Sequence, residues 1–114
     1  MPTFDRFDVV SVPFRYTDRP VRQRRPALVV SAPAYEQATG LVWVVMIAAA
    51  ENRSWPGDVR LAEARRAGLS IPSVVRPTKI ATIEAIEAVQ ASRIGSIAPA
   101  ERRAVREAIG EILG

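Results

Sequence analysis

The stretch Arg24-Arg25-Pro26-Ala27-Leu28-Val29-Val30-Ser31 places two cationic side chains directly before a run of apolar residues. Proline fixes its own backbone and disfavours a helical conformation in the residue before it, so Arg25 is predicted to be extended. The run from Ala27 to Ser31 has the composition of a strand buried on both faces. We therefore predict a central strand with a fixed guanidinium group at its entrance, a favourable place to hold phosphate.

The segments around this stretch predict a mainly β protein. Asp8 to Phe14 is β-branched and partly alternating, which indicates a first strand. Residues 15–24 are charged and aperiodic, and they predict a basic loop that is long for a hairpin. A turn or short helix over 33–40 leads to a third strand, Leu41 to Ile47, in which Trp43 is predicted to lie in the core.

The second half of the chain predicts further short strands and a closing helix. A polar loop over 51–58 precedes a short strand at 59–61 and a helical turn over 62–67 that ends at Gly68. Two strands over 71–76 and 79–83 flank Pro77, and 91–94 is a possible last strand. Pro99 to Leu113 has apolar residues at helical spacing, which predicts a C-terminal helix whose stripe docks on the sheet. The fold class is mainly β with helices: one domain over 1–114, a small, strongly bent antiparallel sheet or β-barrel with a C-terminal α-helix.

Composition narrows the function classes. The chain has 114 residues and a formal net charge of +4, and Lys79 is the single lysine among 16 basic residues. Arginine-rich clusters favour a nucleic-acid partner because the guanidinium fork can grip phosphate with two donors. The longest apolar run, residues 41–50, is half the length needed to span a membrane. With neither an apparent signal peptide nor a cysteine, we expect a cytoplasmic protein with no membrane association.

The chain contains no histidine and no cysteine, which removes the usual zinc ligands and the usual thiol and imidazole chemistry. It has neither a phosphate-binding glycine loop nor a dinucleotide fingerprint, so we expect no metal and no cofactor. Arginine, hydroxyl groups and backbone remain as the available chemistry.

A series of sequence blocks in register gives the chain a resemblance to the MazF/PemK family of toxins. The first blocks are Asp8-Val9-Val10-Ser11-Val12-Pro13-Phe14, Thr17-Asp18 and the arginine–proline stretch. Later in the chain come Trp55-Pro56-Gly57-Asp58-Val59, Ala67-Gly68-Leu69, Pro72-Ser73-Val74-Val75-Arg76-Pro77 with Lys79-Ile80, and Ile94-Gly95. The resemblance spans nearly the whole chain, from about Phe7 to the last helix.

The resemblance implies the toxin of a type II toxin–antitoxin system, with an SH3-like, CcdB/PemK-type barrel that forms a homodimer. Such a protein is an endoribonuclease that cleaves single-stranded mRNA at short sequences without metal, and a cognate antitoxin neutralises it. The 2′-hydroxyl of the RNA is the nucleophile, and the products carry a cyclic phosphate and a free 5′-hydroxyl. By motif position Arg25 is the catalytic arginine, able to stabilise charge on the phosphate oxygens. The residues predicted to contact RNA are Arg15, Thr17, Arg22, Arg24, Asn52, Arg53, Trp55, Ser73 and Arg76.

The sequence departs from the family where the third strand usually ends in Ile-Thr or Ile-Ser, because it has Ile47-Ala48 instead. Ala48 occupies the position of the second catalytic group and has no hydroxyl, so catalysis is predicted to be impaired. A natural inactive homologue, a deliberate detoxifying change and a site shifted to another group all fit this departure, and we favour the second as a hypothesis. A smaller departure is Phe7, where the family often has glycine.

Two other functions fit the same fold. One is a non-catalytic binding module, either a CcdB-like gyrase binder or an antitoxin-binding homologue, and Ala48 is its best support. The other is a general RNA-binding barrel, which predicts salt-sensitive affinity without cleavage.

Overall fold

The computed structural model describes residues 3–15, 22–90 and 97–114, and its centre is one antiparallel sheet. The strands are β1 (Val9–Arg15), β2 (Arg22–Val29), β3 (Leu41–Ala49), β4 (Val59–Arg60), β5 (Ser73–Glu84) and β6 (Val89–Gln90). Their spatial order is β4-β5-β3-β2-β1-β6. Within the described residues no pairing joins β4 to β6, so the sheet is open and the barrel a loose one.

Two helices complete the fold. α1 (Pro33–Thr39) confirms the short helix predicted between the second and third strands, and it ends at Gly40 in the left-handed region, with φ of 73°. α2 (Pro99–Leu113) has the predicted bounds. Val105 is fully buried, but Ile112 and Leu113 are exposed, so only part of the predicted apolar stripe docks.

The sheet packs apolar side chains on both faces because alternate residues of each strand point to opposite sides. One cluster joins Leu28, Val45 and Val75 to Val105 of α2. The other cluster includes Val12, Ala27, Val44 and Met46. The central strands β2 and β3 contribute to both clusters, which confirms that the apolar run after Pro26 lies in a central strand.

Several predicted boundaries are wrong. β2 begins at Arg22 and not at Ala27, so Arg24 and Arg25 lie within the strand, because their pairing with Pro13 and Val12 of β1 extends the hairpin. The two strands predicted around Pro77 are one continuous strand, β5. Its pairing with β3 jumps from Val45↔Ile80 to Met46↔Arg76, so residues 77–79 form a bulge that accommodates a proline without an N–H donor.

Three smaller differences concern local structure. The predicted helical turn is a 3₁₀ turn over Ala64–Ala67, which ends at Gly68 with φ of 84°. The predicted last strand over 91–94 lies outside the described residues. Trp43 is 40% exposed rather than in the core, because its position in β3 points outward, where its indole N–H donates to the Tyr35 hydroxyl at 3.2 Å.

Candidate functional site

A groove of 410 Å³ opens where β2 and β3 separate. Pairing between these strands runs from Val29↔Val44 to Ala27↔Met46 and stops before Pro26, which has no N–H for a ladder. Arg25 and Ala48 both line the groove. They lie on neighbouring strands, Arg25 in β2 and Ala48 in β3, just past the last β2–β3 pair. The groove therefore brings together the two positions that the sequence predicts to be catalytic.

Other predicted residues line the same groove. Asn52 reaches it from the loop after β3, and Ser73 and Arg76 reach it from β5. The hydroxyl of Ser73 is buried and donates to the Ile71 carbonyl at 2.8 Å. Sequence reasoning missed Lys79 and Ser70 as lining residues. Lys79 is the last residue of the bulge in β5. The sequence signal for it was that the single lysine of the chain lies two residues after Pro77, where a strand is expected to be interrupted.

Arg76 is fixed beside the groove by several contacts. Its guanidinium donates to both carboxylate oxygens of Asp58, from Nε at 3.0 Å and from a terminal nitrogen at 3.1 Å, and to the Arg53 carbonyl at 2.9 Å. The same group lies 4.6 Å from the centroid of the Trp55 ring. Both side chains of the pair are mostly buried, with 9% of Arg76 and 12% of Asp58 exposed. This network ties the 51–58 loop to β5 beside the groove.

Asp58 is ionised in this environment. Burial alone would raise the pKa of Asp58, but hydrogen bonds from Arg76 and from the Trp55 backbone N–H outweigh burial and hold that pKa below its ordinary value. The positive charge of Arg76 is therefore balanced locally, and Arg25 and Lys79 supply the other cationic side chains of the described groove.

The remaining predicted contacts fall in three groups. Trp55 does not line the groove, but it is 40% exposed and Lys79 lies 6.0 Å from its ring centroid. Arg24 lies apart, because its guanidinium donates to the Ser11 hydroxyl and to the carbonyls of Ser11 and Glu87. Arg15 and Arg22 pair through their backbones, and Thr17 lies outside the described residues.

The described residues contain no group of three or more carboxylates placed to hold a metal ion. None of the described helices has both the length and the apolar composition to cross a membrane. The groove presents guanidinium, ammonium, amide and hydroxyl groups to a ligand. These groups suit a polyanion that also carries hydrogen-bond donors and acceptors.

Comparison with known proteins decides the family. The profile of the PemK-like, MazF-like toxins of type II toxin–antitoxin systems matches residues 5–113. This chain belongs to that family. A search of curated proteins gave no significant match.

Solved structures of MazF toxins share the fold over the whole length of the chain. MazF from Deinococcus radiodurans (Form-I) has a TM-score of 0.77 and 25% identity, with 100% of this chain and 99% of that chain covered. A MazE–MazF structure from the same organism (Form-III) has a TM-score of 0.78 and 24% identity, with 99% and 98% covered. An endoribonuclease in complex with its cognate antitoxin, from Mycobacterial species, has a TM-score of 0.75 and 22% identity, with 96% and 94% covered. The PemK/MazF fold is thus the architecture that carries the groove between β2 and β3.

Proposed function

We propose that this MazF-family chain binds single-stranded RNA in the groove between β2 and β3, as the toxin of a type II toxin–antitoxin pair. The observation that carries the proposal is that Arg25 and Ala48, distant in sequence, line one cationic groove with Arg76 and Lys79. The family match supports the toxin assignment. A solved relative described as an endoribonuclease supports RNA as the substrate.

The proposed chemistry is transesterification within the RNA. The 2′-oxygen attacks the adjacent phosphorus and loses its proton, the bond from phosphorus to the 5′-oxygen breaks, and that oxygen gains a proton. A cyclic phosphate and a free 5′-hydroxyl result. Arg25 would stabilise the negative charge that builds on the non-bridging oxygens, since it carries a permanent charge with several donors.

The site is impaired in this sequence because Ala48 cannot give or take a proton or a hydrogen bond through its side chain. Among the described lining residues, Ser70 and Ser73 carry the hydroxyl groups of the groove. The Ser73 hydroxyl is already engaged with the Ile71 carbonyl. We therefore propose that catalysis is weak here and that a hydroxyl at position 48 would restore it.

The test is Ala48→Thr, with Ala48→Val as the control of the same shape without a hydroxyl. We expect Ala48→Thr to raise cleavage of a mixed-sequence single-stranded RNA on the order of 100-fold in the presence of a chelator, as one added transition-state hydrogen bond can. The ends should be cyclic phosphate and 5′-hydroxyl, and Arg25→Ala in the same background should remove the gain. An equal gain in Ala48→Val, or none in Ala48→Thr, would contradict the proposal.

The proposed partners are a cognate antitoxin, RNA and a second copy of the chain. The Deinococcus radiodurans relatives include structures described as MazE–MazF, which supports a protein antitoxin. We expect a homodimer, with a mass of twice 12.5 kDa by light scattering. An acidic antitoxin segment that occupies the basic groove would exclude RNA from it.

Ala48 also favours a second candidate, a toxin-fold module that binds without catalysis. The experiment above separates the two, because such a module would gain no cleavage from Ala48→Thr while still binding its protein partner. A general RNA-binding barrel would instead show salt-sensitive RNA affinity and no cleavage in either variant.

A further inference from the structure

A second cationic pocket lies at the start of α2, away from the groove. Arg6 of the N-terminal segment and Arg102, Arg103 and Arg106 of α2 line this pocket, whose volume is 600 Å³. It lies beside Ala32, beyond the end of β2, whereas the groove lies at Arg25 near the start of that strand. The two sites share no lining residue.

Phe7 forms the base of this pocket in an unusual backbone conformation. Its φ is 76°, in the left-handed region that bulky residues rarely adopt, and its side chain is 4% exposed. Its N–H donates to the Val29 carbonyl at 2.6 Å. The guanidinium carbons of Arg102 and Arg106 lie 5.8 and 5.4 Å from the ring centroid. The ring therefore attracts two of the four arginines by cation–π interaction, and Arg102 is also held by donation from its Nε to the Ile97 carbonyl at 2.9 Å.

The positive charges of the arginines that line this pocket repel one another. Arg106 follows Arg102 by four residues and Arg103 by three, and like charges at these helical spacings are destabilising. Arg102 and Arg103 also lie near the N-terminus of α2, where the helix dipole disfavours cations. Among the described residues, no carboxylate forms a salt bridge with Arg6, Arg103 or Arg106.

The carboxylates near the start of α2 include Asp8 and Glu101. Asp8 interacts electrostatically with Arg102 and lies near Asp5, whose N–H it accepts at 2.9 Å. Glu101 accepts the N–H groups of Ala62 and Ala98. An anion in the pocket would relieve the repulsion among Arg6, Arg103 and Arg106, which form no salt bridge within the described residues.

We propose that the pocket bounded by Arg6, Arg102, Arg103 and Arg106 is a second phosphate-binding site of this chain. Arginine forks match the paired oxygens of a phosphate group. The apolar lining is small, because it consists of Ala32, Pro33, Pro99 and a nearly buried ring, so side chains of an acidic peptide would find little to pack against. The phosphate belongs either to a free phosphate ion or to the backbone of an RNA strand. This site rests on the arginine geometry and not on the proposed cleavage reaction.

The test follows the arginine Nε–Hε resonances of the full chain by NMR during titration with inorganic phosphate. We expect saturable shifts of Arg102 and Arg106 in the unmodified protein. The double variant Arg102→Gln/Arg106→Gln should bind phosphate at least tenfold more weakly, measured by isothermal titration. Arg65→Gln/Arg66→Gln, which removes the same charge from the exposed 3₁₀ turn, should stay within twofold of the unmodified protein.

Arg103→Gln keeps both arginines that contact Phe7 and provides a second test if the double variant does not fold. It should weaken phosphate binding several-fold without lowering the unfolding temperature. Absence of saturable shifts, equal losses in the two double variants, or displacement of phosphate by polyglutamate at lower concentration than by pyrophosphate would each overturn the proposal.

The salt dependence of single-stranded RNA binding distinguishes an RNA backbone from a free phosphate ion as the ligand of the pocket. Each contacted phosphate of a single strand contributes about 0.7 to the slope of log affinity against log salt. If RNA reaches the pocket, Arg102→Gln/Arg106→Gln lowers that slope by about 0.7 or more relative to Arg65→Gln/Arg66→Gln. If the slopes agree while inorganic phosphate still binds, the ligand is free phosphate.

Discussion

Asp58 shows at the scale of one residue how the groove depends on a buried ion pair. Replacing Asp58 with Asn leaves the Arg76 guanidinium beside an uncharged amide in a mostly buried position. We expect Asp58→Asn to lower the free energy of unfolding by about 3 kcal/mol, since removing one partner strands the other charge. Urea unfolding of the unmodified chain and of Asp58→Asn measures this difference in the free energy of unfolding.

Glu63→Gln is the matched control for Asp58→Asn. It breaks the Arg66–Glu63 pair, in which 73% and 67% of the side chains are exposed. An exposed pair contributes less than about 1 kcal/mol. Equal losses in the two variants would show that the Arg76–Asp58 pair is no stronger than a surface pair.

Phe7 provides a second test at the residue scale, because its left-handed backbone should make glycine more stable than alanine at this position. Glycine is ordinarily about 0.5–1 kcal/mol less favourable than alanine in regular structure. At a φ of 76° alanine keeps the left-handed strain, which glycine does not feel. Both Phe7→Ala and Phe7→Gly lose the buried ring, but we expect Phe7→Gly to be more stable by about 1 kcal/mol in urea unfolding. The ordinary order, with alanine more stable, would mean that position 7 is not strained.

At the scale of an element, Glu101 attaches the start of α2 to the loop after β4. Its two carboxylate oxygens accept the N–H of Ala98 at 3.0 Å and of Ala62 at 2.6 Å. Replacing Glu101 with Ala should lower the free energy of unfolding by about 1.5 kcal/mol, because both donors lose a charged acceptor. Glu107→Ala, at an exposed position of the same helix, should change it by less than about 0.5 kcal/mol. Similar effects of the two changes would mean that Glu101 does not anchor the helix.

The elements that sequence could predict are those whose signals are local. α2 has proline at its first position and a helical apolar period, and its predicted bounds are the observed ones. The bounds of β2 and β5 differ from the predicted ones because tertiary pairing overrides local composition. The charged residues before Pro26 are held in a strand by β1, and Pro77 is accommodated by a bulge against β3.

The candidate site likewise combines residues that local sequence predicts with contacts that only tertiary structure creates. Motif position predicted Arg25 and Ala48, and neighbouring sequence predicted Asn52, Ser73 and Arg76. The structure brings these five into one groove. Arg24 was predicted beside them, but alternation along β2 turns it toward Ser11 and Glu87. The partner of Arg76 could not be predicted, since Asp58 joins it across 18 residues of chain through the pairing of β4 with β5.

At the scale of the whole molecule, the ion pair at Asp58 makes stability depend on pH. The native pKa of Asp58 is lowered, so the unfolded chain binds protons at this group more readily and stability rises with pH. The contribution is complete above the unfolded aspartate pKa of about 3.9 and is lost as pH falls through the native value. The raised pKa of Asp8, caused mainly by burial, has the opposite sign.

Comparing the unmodified chain with Asp58→Asn isolates this contribution, because Asp8 is present in both proteins. We expect the difference in urea midpoint to be constant between pH 7 and pH 5 and to shrink below about pH 4. A difference that stays constant or widens on acidification would contradict the lowered pKa.

The position of Trp55 beside Arg76 and Lys79 has an optical consequence. The chain has two tryptophans, and Trp43 lies at the outer surface of β3 beside Tyr35. A Trp43→Phe variant would leave Trp55 as the single indole emitter, in contact with two cations that also line the groove. An anion that binds in the groove beside Lys79 would change the charge near this ring, and with it the intensity and wavelength of the indole fluorescence, so the protein carries its own reporter of groove occupancy and needs no attached dye.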